Sequence, residues 1–149
     1  MRPPGLYLSV VATVRYLVDD VGLAVAFYVE RLGFESVRSF GPAMAIVRRD
    51  DLDLWLAGPV SSAARPMPDG SRPSAGGWGR FVVETDDLDA FVSGLREAGA
   101  VFRNEVVEGP GGRQILIEDP SGNPIELFEP ARVTPIGDEG SGQATGLGE

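Results

Sequence analysis

One short grammar occurs twice in this chain, and the duplication limits what it can fold into more than any other feature. Residues 10–18 read as a strand, Asp19-Asp20 follow as a helix start, and a helix is predicted over residues 21–32. Its apolar residues Val21, Val25, Tyr28 and Leu32 form one stripe, and Gly33 supplies the stop. The same order returns as a strand over residues 80–85, an Asp86-Asp87 cap, a helix over residues 88–98 with the stripe Leu88, Phe91, Val92 and Leu95, and a closing Gly99. Asp20 precedes Asp87 by 67 positions and Gly33 precedes Gly99 by 66, a near-constant offset that marks an internal repeat.

Three strand candidates follow each helix: residues 35–40, 44–48 and 52–57, then 101–106, 113–118 and 124–128. Gly41-Pro42, Asp50-Asp51, the run from Gly109 to Gly112 and Asp119-Pro120-Ser121-Gly122-Asn123 supply residues suited to tight reversals. Each half therefore reads βαβββ, and the fold class is α+β with two tandem βαβββ modules. Residues 8–57 make the first module, 58–79 a connector rich in Pro, Ser, Ala and Gly, 80–130 the second module, and 131–149 a tail expected to be disordered. Trp78 sits in the connector, where it either packs on the second half or lines a ligand cleft.

The chain has no Cys, no His and no Lys; all 13 of its basic residues are Arg. Disulfides, thiolate nucleophiles, thiolate-bound metals and Schiff bases are thereby excluded, as is the side chain that most often binds transition metals and moves protons near neutral pH. A formal charge of −9 would repel a polyphosphate backbone, so nucleic acid is not an expected partner. It suits a cationic ligand better, although acidity often serves solubility alone. No apolar run reaches the roughly 20 residues of a membrane span, and the N-terminus lacks a signal-peptide pattern, which reads as cytoplasmic. Exclusive use of Arg over Lys fits a GC-rich bacterial genome.

The segment Val18-Asp19-Asp20-Val21, with Ala26-Phe27-Tyr28 and Arg31-Leu32-Gly33-Phe34, resembles the opening module of the vicinal oxygen chelate superfamily of glyoxalases, bleomycin-resistance proteins and dioxygenases. So does the ending Glu118-Asp119-Pro120-Ser121-Gly122-Asn123-Pro124-Ile125-Glu126-Leu127. This resemblance implies that each βαβββ module contributes one half of an open, cupped mixed sheet, that the concave face holds a small ligand or a metal, and commonly a homodimer. It also implies, in metal-dependent relatives, a His-type ligand on each module's first strand and a Glu on each last strand. Here the first-strand positions are Thr13 and Arg80, and aligning the last strands puts Asp53 and Glu126 at the acidic ones. A guanidinium donates nothing to a divalent ion, so Arg80 is expected to pair with an acid instead, Glu126 first.

Asp53 alternates with Trp55 and Glu126 with Phe128, so both acids stand beside aromatic surface, which suits a flat organic ligand; filling the core is the competing role for the rings. Thr13 reads as a packing or hydrogen-bonding residue, since no usual base is present to activate it. The leading expectation is a metal-independent small-molecule binder, possibly of an antibiotic, lined by Thr13, Asp53, Trp55, Arg80, Glu126 and Phe128. The alternative is a lyase, isomerase or dioxygenase holding Mn, Fe, Ni or Zn between Asp53 and Glu126. A third is a protein-interaction module, which would show a closed cup and an exposed apolar patch.

Overall fold

The structure, a computed structural model, describes residues 11–132. The first module runs β1 (Ala12–Leu17), α1 (Val21–Leu32), β2 (Glu35–Ser39), β3 (Met44–Arg49) and β4 (Leu52–Ala57). The second runs β5 (Val82–Glu84), α2 (Leu88–Glu97), β6 (Val101–Phe102), β7 (Val107–Gly109), β8 (Gly112–Glu118) and β9 (Pro124–Pro130). Each module builds its own mixed sheet, in the orders β1-β4-β3-β2 and β5-β9-β8-β6, with β7 also on β8. The first strand of each module lies parallel to its last, across β1·β4 and β5·β9, and the remaining pairs are antiparallel. The fold is thus α+β with the repeated βαβββ order. The tail expected to be disordered falls, from residue 133 onward, outside the described residues, as do residues 8–10 of the first module.

Both helices start and stop by the same devices. The Asp20 carboxylate accepts the Leu23 N–H at 2.9 Å and that of Asp87 accepts the Ala90 N–H at 3.0 Å, so each aspartate caps its helix. Gly33 turns left-handed at φ 73°, and the Tyr28 carbonyl takes the N–H of Phe34 at 3.0 Å. The strand predicted over residues 101–106 is instead broken between β6 and β7. The cause is a contact with the opposite strand: the Asn104 side chain accepts the Leu116 N–H at 2.9 Å, replacing a backbone rung of the ladder.

Alternation buries one face of each sheet. Val47, Leu54 and Leu56 lie under α1 with Tyr28 and Leu32, while Ile115, Ile117, Ile125 and Leu127 lie with Leu88 and Leu95 of α2, and the two groups form one continuous core. Where they meet, the Phe81 ring sits 5.4 Å from Tyr16 and 6.0 Å from Phe34, and the Tyr16 hydroxyl donates to the Pro124 carbonyl at 2.7 Å. Tyr28 donates to the Asp119 carboxylate at 2.8 Å from inside the same seam.

Burial opposes ionisation of both phenols. The Tyr16 hydroxyl is pushed up to about 12, and that of Tyr28 further, by desolvation and then by the Asp119 charge. An unfolded tyrosine ionises near 10, so the stability held by these neutral phenols is complete below pH 10 and is lost as the pH rises toward 12. In an absorbance titration at the tyrosinate band, Tyr16 and Tyr28 should ionise only together with unfolding. A smooth transition near pH 10 for all three tyrosines of the sequence, in a chain still folded, would contradict this seam.

Candidate functional site

The faces turned away from the helices carry the polar and aromatic residues. Register assembles them on the first sheet into two rows that cross all four strands. One row is Thr13, Asp53, Arg48 and Glu35; the next is Arg15, Trp55, Ile46 and Arg38. Thr13 and Asp53 are therefore direct neighbours, and Trp55 follows Asp53 on the same face. Asp53 is taken by Arg48 in a two-pronged ion pair, Nε to one oxygen and Nη2 to the other at 3.0 Å. Glu35 stands beside that guanidinium, and the paired Asp53 side chain keeps 15% of its surface. The sequence did not single out Arg48, although a basic residue five positions before Asp53 across the Asp50-Asp51 turn is a cross-strand neighbour by hairpin geometry.

On the second sheet Glu126 and Phe128 share the open face with Val82 and Glu84 of β5. Arg80 leads into β5 and closes on Glu126 with Nη2 at 2.9 Å and Nε at 3.2 Å, the pairing expected from the residue types. Its remaining Nη1 holds the Trp78 carbonyl at 3.3 Å. Trp78 itself lies over the Arg103 guanidinium at 4.6 Å with 69% of its surface exposed. That cation–π contact sets the ring against the second module. Arg103 is fixed in turn by the Gly77 and Gly122 carbonyls and by Glu118, so the end of the connector is tied to the Asp119 turn.

Register also changes which residues correspond between the modules. Leu17 pairs with Ala57 as Glu84 pairs with Phe128, so the counterpart of Glu126 in the first module is Trp55 and that of Asp53 is Pro124. Thr13 and Arg80 keep their correspondence, both lying seven residues before a capping aspartate. The two acids therefore stand at different heights on their sheets. The four corresponding positions Thr13, Trp55, Arg80 and Glu126 hold one carboxylate, already bound to a guanidinium.

A model of the Glyoxalase/Bleomycin resistance protein/Dioxygenase superfamily matches residues 10–127. The chain belongs to this superfamily. Solved structures of the superfamily type resemble it along nearly their whole length. A lactoylglutathione lyase from Agrobacterium tumefaciens is 25% identical with a TM-score of 0.65, covering 86% of this chain and 96% of that one. TnmS3, an antibiotic-binding protein from Streptomyces sp. CB03234, is 29% identical with a TM-score of 0.62, over 81% and 95%. A superfamily member from Sphaerobacter thermophilus DSM 20745 is 27% identical with a TM-score of 0.64, over 83% and 98%. Among curated protein sequences none gives a significant match.

The metal of the superfamily's metalloenzymes does not fit the residues present. Asp53 and Glu126 are each neutralised by Arg, Arg80 occupies a position that would have to donate, and among the described residues no three His, Cys, Asp or Glu side chains gather as a metal site would require. Among the described residues, surface cavities of about 140–430 Å³ are lined by other residues than Thr13, Asp53, Trp55, Arg80, Glu126 and Phe128. The six candidate residues divide between two sheet faces, three on each. Among the described residues no helix is long and apolar enough to cross a membrane.

Proposed function

We propose that this superfamily member is a cytoplasmic, metal-independent binder of small organic molecules of the antibiotic type that works as a homodimer. One observation carries the reading: both acids available for metal chemistry are committed to guanidinium groups, Asp53 to Arg48 and Glu126 to Arg80. What remains on the open faces is aromatic and aliphatic surface punctuated by hydrogen-bonding groups, the usual lining of a small-molecule site. The likeness to the antibiotic-binding TnmS3 points the same way. A dimer is favoured by the openness of both faces, since a second chain would supply the missing wall. Phe40, Val82 and Val101, exposed by 45–56% of their surface, would be covered in the process.

The likeness to a lactoylglutathione lyase favours the enzymatic alternative, in which Asp53 and Glu126 hold a divalent ion. That reading requires both ion pairs to open. Calorimetric titration of stripped protein with Mn, Fe(II), Ni and Zn should give no tight site, and Glu126→Gln should change nothing. One tight site per chain, lost in the variant, would sink the metal-free reading. Light scattering on the same sample should return twice the chain mass.

A further inference from the structure

The whole chain is acidic, yet in the second row of the first sheet's open face the charged residues are arginines alone, Arg15 and Arg38. Asp53 is consumed by Arg48, with Glu35 alongside. In the neighbouring row Arg15 lies over the Trp55 ring at 5.0 Å, and Arg38 lies over the Phe40 ring at 5.0 Å. Neither has a carboxylate partner among the described residues. A guanidinium over a ring keeps N–H donors that can meet a carboxylate. Trp55 and Ile46 lie between the two arginines, one residue from each of the two central strands, and three strand spacings, about 14 Å, separate the backbones of Arg15 and Arg38.

We propose that this row binds a flat organic anion, its ring system over Ile46 and alongside the Arg15-covered Trp55, its acid group on the Arg15 guanidinium, with Arg38 available to a second acid group at the far end. The proposal rests on the small-molecule reading above and supplies its ligand class. It reverses the cationic preference suggested by the net charge of −9, because a ligand at van der Waals distance responds to the charges on its own sheet face, while more distant carboxylates are screened.

The test uses the full chain carrying Trp78→Phe, which leaves Trp55 as the single indole of the two in the sequence. Calorimetry and Trp55 emission are followed while adding either 2-naphthoate or 2-naphthylmethylammonium, rings alike and charge opposite. Naphthoate should bind about ten-fold more tightly than the ammonium ion or better, and Arg15→Gln should weaken it by a similar factor, the scale of one charge-assisted fork. Arg15→Lys should recover only part of the loss, and Arg65→Gln in the connector should have no effect. Equal or tighter binding of the ammonium ion, or naphthoate binding indifferent to both Arg15→Gln and Arg38→Gln, would overturn the anion assignment and leave the binder reading intact. Silence toward both ions would overturn the two together.

Discussion

Asp119→Ala should lower the unfolding free energy by about 3 kcal/mol or more, seen as a melting temperature roughly 10 °C below that of the parent chain. Asp119 is buried and its carboxylate accepts four hydrogen bonds: the Tyr28 hydroxyl at 2.8 Å, and the Ser121 N–H, the Asn123 N–H and Asn123 Nδ2 at 2.9 Å each. Two partners of this turn reach back into the first module, Asn123 Nδ2 to the Leu17 carbonyl at 2.7 Å and Ser121 Oγ to the Asp19 N–H at 2.8 Å. Truncation strands several donors away from water at once, at the seam between the modules. Tyr28→Phe removes a single bond from the same network and should cost about 1 kcal/mol. If the two variants melted alike, with a small loss, the turn would not be what fastens the halves.

Gly112→Ala should be comparably damaging, by about 3 kcal/mol, for a different reason. Gly112 opens β8 opposite Pro130 of β9 at φ 147°, and a Cβ there would stand 2.1 Å from the Glu129 carbonyl oxygen. The obstacle is backbone in a paired strand, which cannot swing aside as a side chain can. Relief requires β9 to shift against β8, and β9 carries Glu126 and Phe128. The variant should therefore lose stability while its folded fraction keeps naphthoate binding, which uses the Arg15 row of the other sheet, whereas Gly109→Ala, where a Cβ meets nothing within 4 Å, should leave both unchanged. Chemical denaturation with binding measured on the folded fraction separates the two effects. An undisturbed Gly112→Ala protein would show that the hairpin has slack.

The modules were legible because their signals are local. Asp20 and Asp87 cap helices through atoms three residues away, and Gly33 ends a helix by its own φ, so neither needs the rest of the fold to act. Alternation likewise separated Leu54 and Leu56 from Asp53 and Trp55 before any packing was known. The pairing of Arg80 with Glu126 followed from chemistry, since a guanidinium cannot donate to a metal and a neighbouring carboxylate is its natural partner. Asn104 was not legible in this way, since its effect depends on which strand lies opposite.

Residue types and periodicity by themselves determined the repeated βαβββ order, the α+β class, the absence of His and Cys chemistry, and the face on which most candidate residues stand. Tertiary structure alone decided the register, and register governs the site. It set Trp55, not Asp53, opposite the role of Glu126, and it brought Arg48 onto Asp53. A bulge between Ser36 and Arg38 moved Arg38 onto the face it shares with Glu35, where strict alternation would have put Val37. Sequence periodicity fixes a side chain's face but not its height against a neighbouring strand, because sliding a strand by two residues leaves every face unchanged while giving every residue a new partner.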